Sequence, residues 1–240
     1  MNYCIKIAYD GSKFYGFQRL NEEASVQKML EEALTKINKC EVQVKGAGRT
    51  DRGVHANGQA VSFKLDIDID VDGLKSALNS LVKPYIYVKE VKEVDEDFHA
   101  RFSTVGKRYI YKINLGEYNV TDVDYVYQCE YKLDIDKMKE VAELLKGVHD
   151  FHNFVSGERE DYTCIIYDIK FEIENDILSI IFDGKSFYRY MVRNLVGALI
   201  LVGENKIKPE DMKDMIDKKK KKYNYTTVPA SGLYLKEIDY

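Results

Sequence analysis

Apolar periodicity runs through the same order of elements twice, and this repeat constrains the fold more than any other property of the chain. In the first half, Tyr3, Ile5, Ile7 and Tyr9 alternate with polar residues, the two-residue period of a strand with one buried face. Val26, Met29, Leu30, Ala33, Leu34 and Ile37 then follow helical spacing, with Ser25 placed to cap that helix. Strands are expected over residues 42–45 and at Val61, Phe63 and Leu65. A second helix carries Val71, Leu74, Leu78 and Leu81 and stops before Pro84, and a strand runs from Ile86 to Val91. The second half opens with a strand through Tyr109, Tyr111 and Ile113, then a helix with Met138, Val141, Ala142 and Leu145 that ends at Gly147. Strands at 165–173 and 178–182 flank the turn Glu174-Asn175-Asp176. A helix over 187–202, a short helix after Pro209 and a last strand near 233–238 follow. Each half therefore reads β-α-β-β-α-β, the split βαβ arrangement. The prediction is an α+β protein of two ferredoxin-like halves, 1–104 and 105–240. They would share one large antiparallel sheet with a ligand-binding cleft between them.

The segment most suggestive of chemistry is Gly46-Ala47-Gly48-Arg49-Thr50-Asp51-Arg52-Gly53-Val54-His55-Ala56. It sets a carboxylate between two arginines, with a hydroxyl and an imidazole close by and glycines on either side. Glycine permits backbone shapes closed to other residues and lets a ligand approach the main chain. Arg49 and Arg52 favour the ionised form of Asp51 and can grip phosphate. From the residues alone this is either an arginine-flanked active-site loop or an anion-binding turn with a structural Asp.

The run Gly-Arg-Thr-Asp-x-Gly-Val-His resembles the signature loop of the tRNA pseudouridine synthase A family. Four further segments agree with that family in order: Tyr9–Arg19; Phe98–Ser103 with Lys107–Tyr111; Phe187 with Met191–Gly197; and Pro229–Leu235. The resemblance thus spans almost the whole chain and implies a synthase of pseudouridine in the tRNA anticodon stem-loop, at the positions conventionally numbered 38, 39 and 40. It also implies a cytoplasmic homodimer, with one tRNA reaching across both subunits. The reaction is an isomerisation and needs no redox cofactor, metal or nucleotide. No P-loop, Gly-x-Gly-x-x-Gly or metal-ligand spacing is visible in the sequence.

On the matching positions, Asp51 is the catalytic carboxylate, acting either as nucleophile or as base at C2′. A free Asp, with a pKa of about 3.9, is already ionised at neutral pH. Tyr109 matches the tyrosine that contacts substrate, where its ring can stack on a flipped uracil. Arg193 matches the residue that pairs with the catalytic carboxylate. Its place inside an apolar helix makes a partner necessary, because a buried charge is expensive alone. Arg49 helps extrude the target base or holds its phosphate. The resemblance gives Arg52 no fixed role, and His55 is expected to fix the loop by hydrogen bonding. Two positions depart from the family pattern: Thr163 replaces the arginine of an Arg-Thr pair, and Lys185 stands where asparagine is common. They bear on substrate choice. Two other functions remain open from sequence, a non-catalytic RNA-binding or tRNA-folding protein and an RNA glycosidase or nuclease. The latter needs a second positioned acid that no motif supplies.

Composition fits a soluble globular protein, with 45% hydrophobic and 32% charged residues. The apolar stretch Leu195–Val202 is too short to span a membrane, and the N-terminus reads as a strand without a signal peptide's apolar region. Cys4, Cys40, Cys129 and Cys164 are scattered, as expected of reduced cytoplasmic thiols rather than a zinc site. A net charge of −4 argues against a generally basic nucleic-acid binder, so distribution has to carry the case. Only eight of the 36 basic residues are arginine, and all but Arg159 fall within or beside the five family-like segments. Acids cluster elsewhere, at Asp66, Asp68, Asp70 and Asp72 and at Asp95, Glu96 and Asp97. The expectation is a basic cleft on an acidic molecule. The run Lys218–Lys222 reads as a solvated loop, with phosphate contact as its alternative.

Overall fold

The computed structural model describes residues 1–20, 23–217 and 224–240. They form ten strands and five α-helices, an α+β protein whose described strand pairings are antiparallel with two parallel exceptions. The residues divide into two compact units, Met1–Val105 with Tyr234–Tyr240 and Gly106–Leu233. The lysine run Lys218–Lys222 lies outside the described residues.

In the first unit, β1 (Asn2–Tyr9) is flanked by β3 (His55–Lys64) and β4 (Ile86–Val94), both antiparallel to it. The alternation read from sequence is realised: Tyr3, Ile5, Ile7 and Tyr9 are buried. Two helices, α1 (Val26–Asn38) and α2 (Val71–Val82), pack against each other and bury Leu30, Leu34, Leu74 and Leu78. Each such side chain contributes roughly 1.5–3 kcal/mol by leaving water. Ser25 caps α1 by accepting the Lys28 N–H at 3.2 Å, and Asp70 caps α2 by accepting the Gly73 N–H at 2.8 Å. The strand expected at 42–45 shrinks to β2 (Lys45–Gly46), paired with β3. The physical reason lies in α1: its Thr35 hydroxyl and Glu31 carboxylate take the Val42 and Val44 N–H groups, each at 3.2 Å. The terminal strand β10 (Leu233–Asp239) runs parallel to β3, with Tyr234 opposite His55.

The second unit has the order β5-β9-β8-β7, from β5 (Gly106–Asn114), β7 (Gly147–Asp150), β8 (Thr163–Glu174) and β9 (Ile177–Gly184). A two-residue β6 (Tyr127–Gln128) joins β5 in parallel. The turn joining β8 to β9 is the one read from sequence. Asn175 and Asp176 hold φ of 48° and 63°, the left-handed pair that a tight two-residue hairpin needs. Three helices complete the unit: α3 (Ile135–Leu144), α4 (Met191–Gly203) and α5 (Pro209–Asp217). The helix expected from Phe187 starts four residues later. Tyr190 sits at φ 62°, and that left-handed residue separates the Phe187 segment from α4.

Candidate active site

The loop between β2 and β3 is held from three directions. Within it, the Asp51 carbonyl accepts the Val54 N–H at 3.1 Å, closing a tight turn in which Gly53 takes φ 81°. That conformation explains the glycine following Arg52. From below, Gln59 of β3, fully buried, grips Gly48 on both sides. Its Nε2 donates to the Gly48 carbonyl at 2.8 Å and its Oε1 accepts the Gly48 N–H at 3.3 Å. From the side comes the Tyr9–Arg19 segment. The Phe17 N–H donates to the Thr50 carbonyl at 3.1 Å, and the Tyr9 hydroxyl meets Thr50 Oγ1 at 2.8 Å. Burial pushes the Tyr9 phenol up to about 12, opposed by hydrogen bonds to Thr50 and Gln59. Gly16, at φ 107°, lies so close that a Cβ there would stand 2.9 Å from the Thr50 carbonyl oxygen.

His55 completes this scaffold. It is 2% exposed, its Nδ1 accepts the Gly11 N–H at 3.0 Å, and its ring stacks on Tyr234 with centroids 4.7 Å apart. A ring nitrogen that accepts a hydrogen bond carries no proton, so this geometry pins the Gly11 turn to the start of β3. The loop thereby carries Asp51 half-buried, with Arg49 and Arg52 exposed on either side of it. Neither arginine has a carboxylate partner among the described residues, so both charges are available to a ligand anion.

Tyr109 and Arg193 belong to the second unit. Tyr109, 8% exposed, lies on β5 opposite Phe182, with its ring edge-on to Phe187 at 5.3 Å. Tyr111, two residues on and on the same face, is fully buried and donates to the Pro229 carbonyl at 2.8 Å. Burial pushes its phenol up, against the nearby positive charge of Arg193.

Arg193 opens a ladder along α4. Its Nε donates to the Val228 carbonyl at 2.7 Å. Asn194 accepts the Thr227 hydroxyl at 2.6 Å and donates to the Phe154 carbonyl at 2.9 Å. Gly197 leaves room for Thr226, whose carbonyl oxygen would stand 2.1 Å from a Cβ at that position. Residues 193, 194 and 197 thus dock the stretch 226–228 on one side of the helix. The Arg193 guanidinium also lies 5.0 Å from the Tyr190 ring centre. Of the two departures from the family pattern, Thr163 offers its carbonyl to the Tyr188 hydroxyl at 2.7 Å, and the Lys185 N–H donates to Ile165 at 3.0 Å. Thr163 also hydrogen-bonds the Asp161 carboxylate, through its N–H at 2.8 Å and through its side chain.

A family model described as tRNA pseudouridine synthase matches residues 5–103 and 141–240. The chain belongs to that family. The match takes in Arg49, Asp51 and Arg193, while Tyr109 lies between the two matched stretches. Relatives named tRNA pseudouridine synthase A agree over nearly the full length. One from Pseudothermotoga lettingae is 42% identical over 238 residues, covering 98% of this chain and 97% of its own. One from Listeria monocytogenes is 40% identical over 240 residues, covering 98% and 97%. One from Thermotoga maritima is 39% identical over 236 residues, covering 97% and 96%. Among solved structures, a Cbf5-Nop10-Gar1 complex overlaps at a TM-score of 0.35 and 12% identity, covering 83% of this chain and 54% of that one. That likeness is too distant to carry any conclusion.

As a tRNA pseudouridine synthase, the protein is an isomerase of uridine in tRNA. No helix among the described residues is long and apolar enough to cross a membrane. Among the described residues, no group of His, Cys, Asp and Glu is arranged to hold a metal ion. The scaffold residues Tyr9, Thr50 and Gln59 carry no site role in the sequence reading. The one local signal for Gln59 is an amide between small residues just ahead of the apolar run Val61-Ser62-Phe63.

Proposed function

We propose that the synthase modifies the tRNA anticodon stem-loop at one or more of positions 38, 39 and 40, with Asp51 as its catalytic carboxylate. The observation that carries this reading is the Asp51 loop itself. A half-buried carboxylate stands between two exposed, acid-free arginines on a main chain held by Gln59, Phe17 and its own Gly53 turn. In the reaction the N1–C1′ bond breaks, the uracil turns, C5 bonds to C1′, and the C5 proton leaves as N1 gains one. The ionised Asp51 acts as a nucleophile at the sugar or the base, or as a base at C2′.

Tyr109 contributes a flat ring against the turned base, worth roughly 1–3 kcal/mol if stacked. Arg193 pairs with Asp51 and keeps it ionised where desolvation alone would raise its pKa. Arg49 holds a phosphate beside the extruded nucleotide, whose flipping costs a few kcal/mol. The enzyme works in the cytoplasm as a homodimer, the assembly that the family resemblance supports.

The test uses anticodon-arm transcripts carrying one 5-tritiated uridine at position 38, 39 or 40. Tritium release from these arms supports the assignment. Release from intact tRNA labelled elsewhere, with none from the three arms, overturns it.

A further inference from the structure

Beside Asp51 the structure shows a feature that the reaction as described leaves unused. The Arg52 guanidinium carbon lies 4.1 Å from the centre of the Tyr15 ring. This is contact distance for a planar cation laid over an aromatic face. Both residues are exposed, Tyr15 at 44%. Arg52 has no carboxylate partner among the described residues, so the stack is not a by-product of an ion pair.

The two side chains come from segments locked together by their main chains. A Cβ on Gly16 would stand 2.9 Å from the Thr50 carbonyl oxygen and 3.4 Å from the Arg52 nitrogen. The Tyr15 N–H is tied to the Ala24 carbonyl at 2.8 Å. The main-chain contacts hold the two segments together, and the stack itself orders part of both side chains, which lowers the ordering cost of binding a ligand.

We propose that the Tyr15–Arg52 stack is a platform for the nucleobase adjoining the target uridine. The proposal rests on Asp51 being the catalytic carboxylate. Arg52 follows Asp51 directly in the same tight turn, and the proposal accordingly sets the platform beside the reacting nucleotide. Flipping a uridine strips its neighbour of a stacking partner. A guanidinium face backed by a tyrosine ring replaces that partner, and every base has a π-face to offer it. The platform therefore supports the neighbour without reading its identity. Its N–H edge stays available to the adjoining phosphate.

The experiment begins with the arm that the wild-type protein modifies in total tRNA, so it does not depend on the anticodon assignment. Should the modified arm lie elsewhere, the proposal of positions 38 to 40 fails while the platform is still tested. 2-Aminopurine is placed 5′ or 3′ of the target uridine, and its fluorescence is read on binding. The platform predicts quenching at one of the two positions with the wild type. Quenching is lost in Tyr15→Leu and in Arg52→Lys, which keeps the charge but not the plane, and retained in Tyr15→Phe. In the same two damaged variants KM rises about tenfold, the loss of roughly one stacked base, with the effect on KM rather than kcat. Thermal melting within about a degree of wild type certifies the fold of each variant; a variant that melts earlier is read by its fluorescence in the cold, below its transition. Equal quenching in the wild type and Arg52→Lys would reduce Arg52 to a phosphate contact and overturn the platform, as would no quenching at either position.

Discussion

Replacing Gln59 by leucine tests whether the scaffold beneath the Asp51 loop acts on catalysis or only on stability. The side chain is fully buried, and leucine fills most of its volume, so the change removes polar contacts with little cavity. Two hydrogen bonds to Gly48 go, at 2.8 and 3.3 Å, worth about 1 kcal/mol each net. The Tyr9 hydroxyl also loses one of its two side-chain partners, and a partly stranded buried group adds about 1 kcal/mol or more. The sum is roughly 2–4 kcal/mol, which for a chain of this size lowers Tm by about 4–16 °C. Gly48 is three residues from Asp51, and a displacement of about 1 Å at a reacting group costs on the order of a hundredfold in rate. Single-turnover pseudouridine formation, measured well below the transition, should therefore fall far more than the folded fraction does. A folded variant with a wild-type rate constant would show that Gln59 stabilises the unit without placing the carboxylate. A variant with unchanged melting would refute the hydrogen-bond reasoning itself.

Three further outcomes follow from the geometry. Gly197→Ala should destabilise the protein despite the roughly 1 kcal/mol helix preference for alanine, because its Cβ would lie 2.1 Å from the Thr226 carbonyl; a raised Tm would contradict the docking of 226–228 on α4. Arg49→Gln should make the dependence of log Kd for tRNA on log salt shallower by about one; an unchanged slope in a salt titration would remove Arg49 from phosphate binding. The Lys146 ammonium, 2.7 Å from Asp168, holds that carboxyl below its usual value. Its stabilisation is complete above the unfolded value of about 3.9 and lost as pH falls through the lowered one. Lys146→Met should accordingly flatten the acid side of a stability–pH curve, and an identical acid limb would refute that linkage.

Local patterns carried much of the fold. Alternation located β1, helical spacing with Ser25 located α1, and Asn175-Asp176 located the hairpin of β8 and β9. Patterns failed where long-range contacts decided the outcome. The first six residues of β3, His55 to Ala60, are mostly polar or small and show no alternation because five of the six are buried. Phe187 and Met191 sit four apart and mimic a helix, yet left-handed Tyr190 stands between them. Val42 and Val44 read as strand, but side chains of α1 capture their N–H groups. In the candidate site, the grouping of Asp51 with Arg49 and Arg52 on one loop was legible because it is contiguous. The Tyr9–Thr50 contact spans 41 residues and the Gln59–Gly48 pair 11, and neither leaves a local signature. The role of Arg52 was likewise invisible until Tyr15 appeared beneath it.

The central claim is that Asp51 performs the isomerisation. Its most direct test is position-resolved pseudouridine mapping of total tRNA after incubation with the wild-type protein and with Asp51→Ala. The account predicts new pseudouridine in anticodon arms with the wild type, and none with a variant that still folds and binds tRNA. Turnover of even a few per cent by Asp51→Ala, at the same uridines, would contradict it.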